Sequence, residues 1–261
     1  MKTTRRLHQF PLSLYCEKAR WVLDHKRLSY ACVNYLPGLH LLPARLMAGI
    51  STLPVLQDPQ GTVGDSTAIA LWLEQHYPPL PLLSADAAAR AEVLRLEAEF
   101  DALGDHTRRC VWSLAINLPD IDHIFFGFDG YEGLMRRIGQ RTQPVLRQML
   151  IRRFHLTPAR IEDSWAQVHA AFDRVDARLA RSPEGFLVGH TFSLADLTAA
   201  SMLAPLLGPA GSPWSAERLG YGVPPELAPF HARPTAAWVQ RLYAQHRHAG
   251  VVGAARSAAV A

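Results

Sequence analysis

Three short stretches in the first third of the chain carry residue types and spacings that could do chemistry. Phe10-Pro11-Leu12-Ser13-Leu14-Tyr15-Cys16 places a hydroxyl, Ser13, where a helix should begin. Thr52-Leu53-Pro54-Val55-Leu56 is a short apolar strand entered through an X-Pro bond. Gly64-Asp65-Ser66-Thr67-Ala68-Ile69 is a polar turn that runs into a helix. A helix start offers free backbone N–H groups and the positive end of a dipole. A thiolate held there is stabilised, and a serine hydroxyl can donate a further hydrogen bond to it. Pro54 lacks an N–H and keeps Leu53 extended; with a cis bond, the Leu53 backbone would turn outward and pair with a peptide as a sheet edge does. Asp65 and Ser66, at the second helix start, suit the ammonium and carboxylate of an amino-acid end. Together the three stretches fit a small thiol peptide.

The elements that must position these groups follow from periodicity. Residues 7–10 read as a first strand and 14–26 as a helix, with Cys16, Ala19 and Leu23 on its apolar stripe and Glu17, Lys18 and Asp24 elsewhere. Residues 29–35 alternate as a second strand. Residues 36–51, punctuated by Pro37, Gly38, Pro43 and Gly49, are irregular with room for a short helix. Residues 53–57 and 62–64 form a hairpin around Asp58-Pro59-Gln60-Gly61, and 66–76 form a helix stopped by Pro78-Pro79. The order is βαβ, a hairpin, then a helix. A proline-rich linker at 78–84 follows, and every strong period beyond it is helical. Val93, Leu96, Phe100 and Leu103 make one stripe; Thr157-Pro158 opens a helix whose stripe is Ile161, Trp165, Val168, Phe172, Val175 and Leu179. Ser193-Leu194-Ala195-Asp196 is a capping box, with Phe192 and Leu197 spaced as a hydrophobic staple.

The order Ser-x-Tyr-Cys-x-Lys-x-Arg, Leu-Pro-Val-Leu and Asp-Ser-Thr-x-Ile resembles the glutathione-binding domain of the cytosolic glutathione transferases, closely over the first third of the chain. The Ser-x-x-Asp box after Phe186-Leu187-Val188-Gly189 resembles that of their C-terminal domain. The resemblance implies an α/β thioredoxin-like domain over 1–80 and an all-α domain over 86–250; an inserted helical segment near 117–155 departs from the family's usual core. It implies a cis bond at Pro54, with Leu53 and Pro54 pairing to glutathione, and Asp65 and Ser66 gripping its γ-glutamyl end. It implies that Ser13 stabilises the thiolate, which then attacks a small hydrophobic electrophile. It also implies a homodimer acting in detoxification, with glutathione as co-substrate and no metal.

Other positions keep two readings. Ser13 alone is a helix cap; with the other motifs present, the thiolate role is preferred. Tyr15 is a rival hydroxyl or a packing residue. Cys16 reads as a buried structural thiol rather than a nucleophile, and no cysteine takes the exposed site of thiol-type relatives. His40 meets the glycine-end carboxylate or is a solvated loop histidine. Tyr15, His106, Arg109 and Trp112 are candidates for the second-substrate pocket, the last three on one long helix. The Phe125, Phe126, Phe128 and Tyr131 cluster, with Arg136, Arg137, Arg141, Arg147, Arg152 and Arg153, is an inserted hairpin with a solvated basic face or a lid over that pocket.

Composition excludes several classes. The 261 residues are 49% hydrophobic and 19% charged, enough to bury a sizeable core and too apolar for a disordered chain. Lysine occurs only at Lys2, Lys18 and Lys26 among 27 basic residues, a compositional bias rather than a nucleic-acid surface. Cys16, Cys32 and Cys110 match no metal or disulfide spacing, which suits a reducing cytoplasm. Arg5-Arg6 superficially matches a twin-arginine signal, but Glu17, Lys18 and Arg20 interrupt the apolar run that should follow. No run is long enough to span a membrane. The rival to an enzyme is a transferase-like binding or regulatory module without turnover. Peroxidase, dehalogenase and isomerase variants of the thiol chemistry stay open.

Overall fold

The structure, a computed structural model, describes residues 5–116, 133–220 and 224–247. Phe125, Phe126, Phe128, Tyr131 and the tail from Ala249 lie outside them.

A four-stranded mixed sheet opens the chain, in the order β2-β1-β3-β4. Strand β1 (Arg6–Gln9) runs parallel to β2 (Ala31–Asn34) and antiparallel to β3 (Val55–Asp58), which pairs with β4 (Gly61–Gly64). Alternation divides the strands between two faces. Leu7 and Leu56 join the main core with helix α1 (Leu14–His25) and helix α3 (Ser66–His76). Val33 and Val55 pack with Ala44 of helix α2 (Leu41–Ala48) on the other side. Helix α2 is the short helix for which the stretch 36–51 had room. The Leu53–Pro54 bond is cis, in agreement with the sequence reading.

The remaining elements are helical. They are α4 (Ala87–Ala115), α5 (Gly133–Arg153), α6 (Pro158–Leu179), α7 (Leu194–Leu207), α8 (Ala216–Leu219), a 3₁₀ turn (Pro225–Leu227), α9 (Ala228–His231) and α10 (Pro234–His246). Val93, Leu96, Phe100 and Leu103 of α4 are all buried, as their stripe requires. Helix α7 is buried along almost its whole length, because it is apolar on every side and sits between α1, α4 and α10. Thr157 precedes Pro158 as expected but makes no side-chain capping bond.

Helix α1 departs from the one-sided stripe. Glu17, Lys18, Arg20 and Asp24 are buried along with Cys16, Ala19 and Leu23, because α3, α4 and α7 pack around the helix and Leu7 and Leu56 of the sheet join the same core. The charges persist because each has a partner. Glu17 accepts from Arg20 Nε and Arg247 Nε at 2.8 Å each. Asp24 also pairs with Arg247, and the Trp21 indole donates to the His246 carbonyl at 3.0 Å. The end of α10 is thereby fastened to the first helix of the chain.

The proline-rich linker is tied down as well. Lys26 Nζ pairs with Glu74 at 2.6 Å and donates to the Tyr77 carbonyl at 2.9 Å, while Leu82 and Leu83 enter the core. Leu194 N–H donates to the Leu82 carbonyl at 2.9 Å, placing the linker against the start of α7.

That start is the capping box. Asp196 is fully buried; one carboxylate oxygen accepts from the Leu187 N–H at 2.8 Å, the other from the Ser193 N–H at 2.9 Å and the Ser193 hydroxyl at 2.7 Å. Asp196→Ala leaves two buried N–H groups without an acceptor, at a cost of roughly 2–5 kcal/mol. Thermal unfolding should show the midpoint falling by about 5 °C or more. An unchanged midpoint would contradict a folding role for the box.

Candidate functional site

Ser13 closes a turn after β1, its N–H donating to the Phe10 carbonyl at 3.2 Å, and caps α1 in extended conformation. Its Oγ accepts from the Cys16 N–H at 3.3 Å. The hydroxyl proton is not used in that bond, and the Cys16 thiol also lies within its hydrogen-bonding reach. The first turn of α1 adds backbone N–H groups with no intrahelical acceptor. Cys16 itself is buried, and burial pushes its thiol pKa up, so it stays protonated and packs with Val33 and Val55.

Ser13 opens into a cavity of about 330 Å³, also lined by Leu53, Tyr15 and His40. His40 ends the turn before α2; its ring lies edge-on to Phe10 at 4.8 Å and its Nδ1 accepts from the Gly38 N–H at 3.2 Å. Burial is the largest influence on its pKa and lowers it, in keeping with a neutral ring whose Nδ1 is an acceptor. The C-terminal end of α5 closes the far side with Met149, Leu150 and Arg153. Part of the Asn117-to-Arg153 segment thus lines the cavity, while Arg137, Arg141 and Arg152 are exposed on a basic face. Among the described lining residues there are two arginines, Arg108 and Arg153, and no carboxylate. An anionic guest suits that balance.

Tyr15 lines the cavity with its ring, but its hydroxyl is turned to α4, 3.1 Å from Asp105 Oδ1 and 3.2 Å from the Asp101 carbonyl. Burial first, and the Asp105 charge second, raise its pKa well above that of a free phenol. Gly104 permits this approach: a Cβ there would lie 2.6 Å from the Tyr15 hydroxyl and 2.7 Å from the Met202 sulfur. Neither Gly104 nor its consequence was visible as a sequence motif.

Asp65 and Ser66 lie beyond the cavity wall, joined to it where the Asp65 N–H donates to the Pro54 carbonyl at 3.1 Å. Asp65 holds φ at 75°, costly for a residue with a Cβ, and caps α3 by accepting from the Thr67 and Ala68 N–H groups at 3.0 Å each. It is exposed. Ser66 is fully buried and donates its hydroxyl to Asp101 of α4 at 3.4 Å, so of the pair Asp65 is the one that solvent reaches.

The same aspartate takes part in a buried cluster. Lys18 Nζ lies 2.7 Å from Asp101 and 2.7 Å from Thr67 Oγ1, and it also pairs with Glu97. This cation pins the start of α3 to α4 and so fixes where Asp65 stands.

Two of the second-substrate candidates sit on the other side of α4. His106 Nδ1 lies 3.2 Å from the Ser164 hydroxyl, and Arg109 donates to Ser164 at 2.6 Å and to the Phe154 carbonyl at 3.0 Å. Neither is among the described residues lining the cavity. The residues that face it are Arg108 and Trp112, four apart. A second, larger cavity of about 550 Å³ shares them as a wall, together with Leu12 and Leu14, and continues among Val111, Leu206, Trp214 and Leu227. No cluster of three or more potential metal ligands exists among the described residues, and no described helix is long and apolar enough to cross a membrane.

A thioredoxin-like layer joined to an all-helical domain, with a cavity at the first helix start, is the architecture of the glutathione transferases. Two family models match: glutathione S-transferase, N-terminal domain, over residues 7–81, and glutathione S-transferase, C-terminal domain, over residues 158–241. The chain belongs to the glutathione S-transferase superfamily. No curated protein sequence matches it.

Solved structures of similar fold include a glutathione S-transferase from Methylobacillus flagellatus with glutathione bound. It is 21% identical, with a TM-score of 0.59 over 93% of this chain and 95% of that one. A glutathione S-transferase from Rhodospirillum rubrum is 26% identical, with a TM-score of 0.54 over 92% and 91%. One from Methylobacterium radiotolerans, in complex with glutathione sulfonate, is 22% identical, with a TM-score of 0.55 over 90% and 93%.

Lys18→Met should leave Glu97, 2% exposed, as an uncompensated buried charge and destabilise the fold by about 3–5 kcal/mol. The double variant with Glu97→Leu removes both charges and should recover most of that loss. Chemical denaturation of the two variants checks this; equal destabilisation of both would show that packing, not charge, is what Lys18 supplies.

Proposed function

We propose that this protein binds glutathione, stabilises its thiolate at Ser13 and conjugates it to a small hydrophobic electrophile. The observation that carries the reading is the Ser13 helix cap opening into a cavity with no carboxylate among its described lining residues, which shares a wall with a larger apolar one. Leu53 offers its backbone to the peptide and Asp65 its carboxylate to the γ-glutamyl ammonium, while Ser66, buried against Asp101, holds the start of α3 in place. His40 and Arg153 stand at the glycine end, with Arg153 supplying the charge that a neutral His40 does not. Similar folds crystallised with glutathione and with glutathione sulfonate support this choice of peptide.

The mechanism asks little of the protein beyond placement and electrostatics. Ser13 donates its hydroxyl proton in a hydrogen bond to the sulfur, and the α1 dipole lowers the thiol pKa further. The electrophile rests against Trp112 and the leucines of the shared wall, so the two reactants meet without a bimolecular search. We assign the glutathione-binding domain to residues 1–80 and the helical domain to 86–250, with a segment near 117–155 added to it. The homodimer, the cytoplasmic setting and a detoxifying role belong to the same proposal.

Ser13→Ala should raise the pKa of bound glutathione thiol and lower the conjugation rate at neutral pH by roughly ten- to a hundredfold, the value of one hydrogen bond to a charged group. Glutathione affinity should change little, since other residues grip the rest of the peptide. Tyr15→Phe should leave the thiolate pKa where it is, because that hydroxyl is engaged with Asp105. Thiolate absorbance and rate against pH, for the three proteins, decide it. Overlaid profiles for wild type and Ser13→Ala would reduce Ser13 to a helix cap. Glutathione binding without turnover of any electrophile would favour the binding-module reading.

A further inference from the structure

The larger cavity has almost no polar chemistry of its own. Among the described residues its charged or titratable lining is Arg108, Glu226 and His231. Glu226 is exposed, and His231 lies 3.2 Å from the Leu206 carbonyl through Nε2. Arg108 is different, because it lines both cavities and so stands where the two reactants would touch.

Its guanidinium is held in place. It lies over the Phe154 ring at 4.5 Å and over the Tyr15 ring at 5.6 Å, and one nitrogen donates to Asp105 at 2.5 Å. Asp105 is an exposed carboxylate on the same helix, three residues back. Among the described residues it is the hydrogen-bond partner of Arg108, so the remaining N–H groups of the fork are uncommitted. A cation stacked between rings beside an apolar cavity is a preorganised donor for charge that appears there during reaction. The apolar walls of the larger cavity disfavour a guest that arrives already anionic, since that guest would lose its hydration there.

We propose that Arg108 is a catalytic residue selecting neutral, largely apolar electrophiles activated by a conjugated carbonyl group. This rests on the glutathione reading of the site given above. The thiolate sulfur bonds to the β-carbon of the conjugated system, and the electron pair of the carbon–carbon double bond moves to give an enolate with its charge on oxygen. Arg108 hydrogen-bonds that oxygen. A proton from water then reaches the α-carbon and restores the carbonyl. Nothing leaves and nothing is oxidised.

The test compares two electrophiles, 4-phenylbut-3-en-2-one, which develops charge on a conjugated oxygen, and benzyl chloride, which does not. Arg108→Met keeps the aliphatic stem against Phe154 and removes the donor. It should lower the ratio of kcat/KM for the enone over benzyl chloride by roughly tenfold or more. Arg108→Lys should recover part of the ratio, since it restores a charge without the fork. Circular dichroism and glutathione titration calorimetry on each variant separate a folding or binding defect from this effect. An unchanged ratio in Arg108→Met overturns the proposal, as does a wild type that binds glutathione and turns over benzyl chloride but not the enone. A wild type that fails to bind glutathione overturns the functional reading along with it.

Discussion

Everything in this molecule leans on the burial of helix α1. It packs against α3, α4 and α7 and shares its core with the sheet, and it carries Glu17, Lys18, Arg20 and Asp24 into the interior with it. Buried charges are tolerable only when paired, so each must find its partner in a particular other element. Lys18 reaches α3 and α4, Glu17 and Asp24 reach Arg247 past the end of α10, and Arg20 reaches the Pro11 carbonyl at 3.0 Å in the turn that leads to Ser13. The sheet, the helical domain and the site-forming turn are therefore held by polar contacts that radiate from one helix. Apolar packing supplies most of the stability, and these pairs specify the arrangement.

The consequence for function is positional. A hydroxyl at a helix start is ordinary; one at the start of a helix clamped on all sides is a fixed donor. Helix α4 supplies the opposite wall by presenting Asp101, Asp105, Arg108 and Trp112 along one stripe, each three or four residues from the next. The first of these holds Lys18 and Ser66, the second holds Tyr15 and Arg108, and the last two line the cavities. One helix face thus serves the start of α3 and both cavities together. Gly104, in the middle of it, lets α4 approach α1 closely enough for both.

The local elements of the first domain were legible because they are set by short-range rules. Turn residues, the strand alternation, the X-Pro bond and the two polar helix starts all act within a few residues of themselves. The buried stripes of α4 and α6 and the Ser193–Asp196 box followed for the same reason. The burial of the charged residues of α1 was not legible, because a single-helix pattern holds no record of what packs on the side away from the apolar stripe. Here a second domain occupies that side. Arg109 and His106 were named as pocket candidates and Arg108 was not; the rotation of α4 about its axis decides which neighbour faces the cavity, and one residue displaces a side chain by about 100°.

The sequence by itself determined the βαβ–hairpin–helix order, the helical second domain, the two capped helix starts at Ser13 and Asp65 and the X-Pro bond at Pro54, because these are encoded in neighbours along the chain. Tertiary structure alone decided that Tyr15 gives its hydroxyl to α4, that Ser66 turns inward to Asp101, that the end of α5 closes the cavity, and that Arg108 stands between two cavities. Those outcomes depend on contacts between residues far apart in the chain, such as Tyr15 with Asp105 and Ser66 with Asp101. No local rule of spacing fixes them; the packing of one helix against another does.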